Sequence, residues 1–158
     1  MEWDQLTIEA QNHHVPTLWL FRERFQQAVL YGMAEQNAFS HLVFQGGTAL
    51  RLCYQNPRFS EDLDFVRRQP HGRLDYSVVT WDALVEHLQN IFPWVRDLTT
   101  KIQKSTPTLS RAILSGRLPD TTSFRVHLEL ANVPAYDVAK DLFPWQSKVP
   151  KRFLPTRW

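Results

Sequence analysis

Two adjacent glycines, Gly46 and Gly47, separate a short apolar segment from a helical one, and this junction constrains the fold most. The chain has only five glycines. Paired glycines let the backbone turn sharply and approach a ligand closely, and the first turn of a helix offers unpaired N–H groups to an anion. Thr48 adds a hydroxyl at the helix start. The junction therefore predicts a phosphate-binding turn; a plain strand-to-helix turn capped by Thr48 is the alternative.

Asp62 and Asp64 lie in a segment that alternates polar and apolar residues, which is typical of a strand. Side chains two residues apart on a strand project from the same face. At ~6 Å and an effective dielectric of about 20, two such carboxylates repel each other by roughly 3 kcal/mol. Mg²⁺ binds through one or two carboxylates and substrate phosphates. The pair therefore predicts a metal–triphosphate site beside the turn; a solvated strand face is the alternative.

A third carboxylate is expected on a later strand. Residues 124–130 alternate strictly, and Glu129 shares the polar face with Arg125 and His127. In nucleotidyl transfer, a third carboxylate takes the proton from the attacking hydroxyl or completes a second metal site. His127 either assists that carboxylate or is a hydrogen-bonded surface histidine.

Three residues near the turn and the aspartates are candidates for substrate binding. Arg51 and Arg58 carry guanidinium groups that bind phosphate in a bidentate manner, although Arg51 is equally explained as a surface arginine. Ser60 shares the face of Asp62 if the strand begins that early.

The remaining pattern predicts an α+β protein. Helices are expected at residues 17–35, 48–54 and 81–92, and strands at 40–44, 62–66, 111–114 and 124–130. On the first helix, Gln26 and Gln27 fall on the face opposite the apolar stripe. Gly116 is expected in a turn, and no regular element is expected beyond Pro134.

Composition excludes several classes of protein. A chain of 158 residues with 43% hydrophobic residues forms one domain with a core and is not disordered. A single cysteine excludes an internal disulfide. No apolar run reaches the ~18 to 20 residues of a membrane helix, and the N-terminus lacks a signal-peptide pattern. We therefore expect no membrane partner and a cytoplasmic location.

Residues 140–158 are basic and contain several prolines. Asp141 is their only acid, against five basic residues: Lys140, Lys148, Lys151, Arg152 and Arg157. Basic tails often contact phosphate backbones; a solvated terminus is the alternative.

The segments Q-G-G-T-A-L-R at 45–51 and R-F-S-E-D-L-D-F at 58–65 resemble the nucleotidyltransferase signature of the AbiEii/AbiGii toxin family. This family belongs to the DNA polymerase β-like nucleotidyltransferase superfamily, and the resemblance covers residues 18–136. It implies a nucleotidyltransferase-like mixed sheet flanked by helices. It also implies a phosphate-binding turn at residues 46–48, a metal-binding pair at Asp62 and Asp64, and Glu129 as the third acid and metal ligand.

The sequence departs from the family pattern at two places. Gln45 stands where the family usually has lysine, and the helical region that usually follows is not recognisable after Tyr136. We therefore expect residues 1–139 to form the catalytic domain, and residues 140–158 to be a basic tail or the start of a missing helical lobe.

The resemblance implies an Mg²⁺-dependent enzyme that moves a nucleoside monophosphate from an NTP to a hydroxyl. The acceptor would be RNA, such as a tRNA 3′ end, or a protein side chain, in a toxin–antitoxin or phage-defence system with an antitoxin partner. The first alternative is a non-catalytic protein of this fold that binds nucleotide or a partner. The second is a small α+β interaction domain.

Overall fold

The computed structural model describes residues 2–68 and 76–135, which form four helices and five strands. The helices are α1 (Trp3–Asn12), α2 (Thr17–Glu35), α3 (Gly46–Tyr54) and α4 (Trp81–Ile91). The strands are β1 (Leu42–Gln45), β2 (Asp62–Arg67), β3 (Arg96–Ser105), β4 (Leu109–Arg117) and β5 (Ser123–Pro134). Short 3₁₀ turns lie at Ala38–Ser40 and Tyr76–Val78.

The strands form one mixed sheet in the order β1-β2-β5-β4-β3. Only the central pair, β2 and β5, runs parallel; the other three pairings are antiparallel. β1 ends at Gln45 opposite Asp64, and α3 starts at the next residue. The predicted α+β class and the mixed sheet flanked by helices are confirmed, and the glycine pair follows the edge strand β1, next to Asp64 of β2.

The core lies on one face of the sheet. Leu63 and Phe65 of β2 and Leu128 and Leu130 of β5 point into it and are essentially buried. Helix α2 packs on this face through an aromatic cluster, in which the ring of Phe124 lies 4.7 Å from Phe21 and 5.0 Å from Phe25. Because side chains alternate along a strand, Asp62, Asp64 and Glu129 are left on the opposite face.

Two elements, α1 and β3, were not predicted. α1 buries only Leu6 and Ala10 fully. β3 is an edge strand with several exposed polar side chains, as is usual for protected sheet edges, and it shows no apolar alternation. In both cases the pattern in the sequence is too weak to mark the element.

Three local predictions were wrong. The strand predicted from Ser40 starts at Leu42, because Ala38–Ser40 forms a 3₁₀ turn. Gly116 lies inside β4, where a Cβ atom would come within 3.0 Å of the Phe124 ring and the Arg96 carbonyl oxygen. Gln26 and Gln27 are buried, and the amide of Gln26 donates a hydrogen bond of 3.0 Å to the Ser60 carbonyl.

The tail predicted at residues 140–158 lies outside the described residues. Among the residues that are described, no helix is both long and apolar enough to cross a membrane.

Replacing Phe124 with Ala should destabilise the protein by about 3–5 kcal/mol, because the ring fills the space between Phe21 and Phe25 and leaves a cavity when removed. The free energy of unfolding in urea measures this change. Ile8→Ala is the control: Ile8 is 57% exposed, and its replacement should change that free energy by no more than about 0.5 kcal/mol. Equal losses in the two variants would contradict this description of the core.

Candidate active site

The glycine turn is pressed against the strand that carries the aspartates. Gly46 has φ +82°, in the region that favours glycine, and a Cβ atom there would overlap the Asp64 carboxylate. A Cβ atom on Gly47 would lie 3.0 Å from the hydroxyl oxygen of Ser60. The turn and the strand therefore meet in a contact that only small residues allow, and the start of α3 lies directly beside Asp64.

Thr48 joins the turn to the strand. Its side chain is buried, and its hydroxyl donates a hydrogen bond to the main-chain carbonyl of Asp62. The Thr48 hydroxyl, which the sequence placed among the substrate-binding groups, is therefore engaged in a protein contact. This contact fixes the position of α3 relative to β2.

The register of β2 and β5 brings the predicted acids together. Asp62 lies opposite His127, and Asp64 lies opposite Glu129. Cross-strand neighbours project from the same face, so Asp64 is flanked by Asp62 along its own strand and by Glu129 on the next one. The three acids, which the sequence placed on two separate segments, thus share one face of the sheet across β2 and β5.

Asp64 is the least compensated of the three acids. Within the described residues, its carboxylate receives no hydrogen bond and no ion pair. Burial raises the pKa of Asp64, and the negative charges of Glu129 and Asp62 raise this pKa further. The geometry therefore creates a carboxylate whose negative charge is unfavourable until a cation binds beside it.

The two neighbouring acids have protein partners. Nδ1 of His127 lies 3.1 Å from Oδ1 of Asp62 in a hydrogen bond that the carboxylate accepts. Glu129 forms an ion pair with Arg111, which lies opposite it on β4. Arg111 therefore compensates the charge of the third acid, and the sequence did not identify this role, because pairing between strands cannot be read from the pattern of one strand.

The donor set fits a magnesium ion. Carboxylate oxygens are the ligands that Mg²⁺ prefers in proteins, and Asp64 lacks a counter-charge. In the described part of the chain, no three His, Cys, Asp or Glu side chains already stand at metal-binding positions. Asp62 and Glu129 contact His127 and Arg111 instead. These residues are thus of the right type to hold the ion, once the two flanking acids leave their protein partners.

Arg51 stabilises the loop that leads into β2. It forms an ion pair with Glu23 of α2 and donates hydrogen bonds to the carbonyls of Asn56 and Pro57 at 3.2 and 2.9 Å. Its guanidinium carbon lies 3.6 Å from the centre of the Phe59 ring. The structure therefore engages Arg51 in several protein contacts.

Arg58 and Ser60 lie nearer to open surface. Arg58 is exposed, and within the described residues its side chain has no ion-pair partner. Ser60 places its hydroxyl against Gly47. Both residues line a cavity of about 300 Å³ together with Trp19 and Arg22 of α2, which the sequence did not link to the site.

Comparison with known proteins identifies relatives of this chain. Residues 28–139 match the family described as nucleotidyl transferase AbiEii toxin of a type IV toxin–antitoxin system. The crystal structure of JHP933 from Helicobacter pylori is similar, with a TM-score of 0.53 and 23% identity over 76% of this chain and 47% of that chain. A second H. pylori structure gives a TM-score of 0.54 and 23% identity over 80% of this chain and 49% of that one.

MenT4, a nucleotidyltransferase toxin from Mycobacterium tuberculosis H37Rv, is similar with a TM-score of 0.49 and 20% identity over 85% of this chain and 44% of its own. The chain thus spans about half the length of the similar structures. The two H. pylori structures show that the fold is shared. Comparison with curated proteins finds no significant match.

Replacing Asp64 with Asn should stabilise the metal-free protein at neutral pH, raising Tm by a few degrees. The raised pKa means that ionisation of Asp64 is harder in the folded protein than in the unfolded chain. Below the ordinary pKa of 3.8, Asp64 is protonated in both states and its ionisation costs no stability. As the pH rises from 3.8 through the raised pKa, this ionisation destabilises the folded protein increasingly. The difference in Tm should therefore shrink as the pH falls towards 3.8.

Thermal unfolding in the presence of a chelator, at a series of pH values, measures this difference. Glu86→Gln is the matched control, because Glu86 is an exposed acid on α4. The Tm of this variant should equal that of the unaltered protein at each pH. A neutral-pH Tm that falls in Asp64→Asn would contradict the description of Asp64 as an uncompensated charge.

Proposed function

Because the chain belongs to the AbiEii nucleotidyltransferase toxin family, we propose that it transfers a nucleoside monophosphate from an NTP to a hydroxyl group, with Mg²⁺ as cofactor. In this proposal residues 1–139 form the catalytic domain. The observation that carries it is the position of Asp64, an uncompensated carboxylate between a glycine turn and a second acid. Such a charge requires a cation, and the turn beside it provides space and N–H groups for phosphates.

The triphosphate is held at the start of α3. Gly46 and Gly47 have no side chains that would block the approach of an anion, and the unpaired N–H groups of the first helical turn face it. Asp62, Asp64 and Glu129 would hold Mg²⁺, which supplies positive charge that stabilises the transition state when it is bound. Arg58 is exposed nearby and contributes a further positive charge.

The reaction is an in-line displacement at the α-phosphorus. A bond forms between the acceptor oxygen and the α-phosphorus, while the bond to the bridging oxygen of pyrophosphate breaks. A carboxylate oxygen of Glu129 takes the proton of the acceptor hydroxyl, once Glu129 is released from Arg111. Pyrophosphate leaves towards the turn at Gly46 and Gly47.

The acceptor in this proposal is RNA, such as the 3′ end of a tRNA, or a protein side chain. As a toxin the protein would be held inactive by an antitoxin, and phage defence is a setting in which such a pair acts. An NTP and RNA are both cytoplasmic substrates, so we place the activity in the cytoplasm.

A second candidate function is the binding of nucleotide or a partner protein without catalysis. It is favoured by the contacts of Asp62 with His127 and of Glu129 with Arg111, which occupy two of the three acids. In that case Asp64 and the glycine turn would bind a metal–nucleotide complex that is not turned over.

Label transfer from each radiolabelled NTP to total RNA or to protein, in the presence of Mg²⁺, tests the proposal. We expect transfer that falls about 100-fold or more in Asp64→Asn and in Asp62→Asn, because each variant removes a charged ligand. Glu86→Gln, an exposed acid on α4, should retain full activity.

Three outcomes separate the candidate functions. Transfer that depends on both aspartates supports the enzyme. Binding of an NTP with Mg²⁺ but without transfer to any acceptor supports the non-catalytic protein. If no NTP binds in the presence of Mg²⁺, both candidate functions are wrong.

A further inference from the structure

Two adjacent glutamines of α2 are buried, but only one of them has a hydrogen-bond partner. Gln26 is 2% exposed, and its amide donates a hydrogen bond of 3.0 Å to the Ser60 carbonyl. Gln27 is 6% exposed, and within the described residues its amide forms no hydrogen bond. A buried carboxamide without a partner lowers the stability of the folded protein. Packing alone therefore does not explain why position 27 holds a glutamine.

Gln27 lines a cavity of about 280 Å³ that is formed by α2, the second half of α3 and the residues directly after α3. The residues that line this cavity are Glu23, Gln27, Arg51, Leu52, Gln55 and Asn56. Gln55 follows the last residue of α3 and lies about 13 Å along the helix from Gly46. The volume is at the lower limit of ligand pockets, which indicates a small ligand. We call this cavity the α3 cavity; it shares no residue with the glycine turn or the three acids.

The two charged side chains of the α3 cavity neutralise each other. Glu23 and Arg51 form an ion pair, and both side chains are mostly buried. Arg51 also donates hydrogen bonds to the carbonyls of Asn56 and Pro57 and lies over the Phe59 ring. An anionic ligand would therefore find no free cation in the cavity, and a cationic ligand would find no free carboxylate. The lining favours a ligand that is polar but uncharged.

Three of the lining residues, Gln27, Gln55 and Asn56, carry carboxamide groups. Oδ1 of Asn56 accepts a hydrogen bond of 2.9 Å from the main-chain N–H of Arg58, which leaves the NH₂ group of Asn56 as a donor. A carboxamide presents a donor and an acceptor side by side. Glutamine and asparagine bind the N6 amino group and N7 of adenine with this pair of atoms. The buried Leu52 supplies an apolar surface for a ring.

We propose that the α3 cavity is a binding site for a neutral nucleobase, adenine, at a place separate from the candidate active site. The Gln27 carbonyl oxygen accepts a hydrogen bond from the N6 amino group, and the Gln27 NH₂ group donates one to N7. The ring lies against Leu52, and the carboxamides of Gln55 and Asn56 contact its outer part. This inference does not rest on the proposed function, because it concerns the opposite end of α3.

Calorimetric titration of the full chain with adenosine, in a chelator and without NTP, tests this site. Adenosine has no phosphates, so the glycine turn does not contribute to its binding. Gln27→Met keeps the length of the side chain and removes the carboxamide, so it should weaken binding about tenfold or more. Gln89→Met is the control, because Gln89 is an exposed glutamine on α4 that does not line the cavity; adenosine should bind this variant as tightly as it binds the unaltered protein.

Thermal unfolding separates a ligand-binding glutamine from a structural one. Without ligand, Gln27→Met should raise Tm by a few degrees, because it removes an unpaired buried carboxamide. Gln26→Met should lower Tm, because it leaves the Ser60 carbonyl without its donor. Adenosine should raise the Tm of the unaltered protein but not that of Gln27→Met. Gln55→Ala changes an exposed side chain, so it should fold normally and still weaken the binding of adenosine.

Purine riboside, which lacks the N6 amino group, should bind about tenfold more weakly than adenosine. The inference is overturned if adenosine does not bind, if purine riboside binds equally well, or if Gln27→Met keeps full affinity. A larger loss in Asp64→Asn than in Gln27→Met would place the base in the active site and also overturn it. A capped glutamine that binds more tightly than adenosine would assign the cavity to a side chain of a partner protein instead of a nucleobase. Label transfer tests the proposed function independently of all these results.

Discussion

The crowding of negative charge around Asp64 is the constraint on which the site depends. The parallel register of β2 and β5 places Glu129 beside Asp64, and the strand itself places Asp62 on the same face. The turn before α3 approaches so closely that position 46 has room only for glycine. A protein that needed only a stable sheet would gain from an uncharged residue at position 64, and this cost supports the proposal of a metal site there.

Contacts of α2, α3 and the loop before β2 hold this arrangement in place. The Thr48 hydroxyl joins α3 to the main chain of β2, and the buried Gln26 amide joins α2 to the carbonyl of Ser60. Arg51 fixes the intervening loop by contacts with Glu23 and Phe59. These groups are polar, yet they bind protein rather than ligand. The site is therefore formed by main-chain turns and carboxylates, on a support made of buried hydrogen bonds and ion pairs.

Much of the fold was predictable because its central elements have strong patterns. The alternation in residues 124–130 and the apolar stripe of α4 predicted which face of each element is buried. The glycine pair predicted a turn, and the spacing of Asp62 and Asp64 predicted a strand beside it. β3 could not be found, since an edge strand with exposed polar side chains has no apolar alternation. Gln26 was assigned to a polar face, because the loop that covers it is distant in sequence.

The contacts of the site were harder to predict than its position. Asp64 lies opposite Glu129 on the neighbouring strand, and Glu129 lies opposite Arg111. These positions depend on strand order and register, which the sequence of a single strand does not encode. That Trp19 lines a cavity with Arg58 and Ser60 was equally hidden, because α2 and the loop before β2 are distant in sequence.

The pKa of the Asp64 carboxyl group, measured by NMR through the pH dependence of its ¹³C chemical shift, tests the central claim most directly. In the metal-free protein, this pKa should lie above the ordinary value of 3.8, and addition of Mg²⁺ should lower it, because a bound cation favours the ionised carboxylate. A pKa at or below 3.8 that Mg²⁺ does not change would contradict the account of Asp64 as a carboxylate that requires a cation.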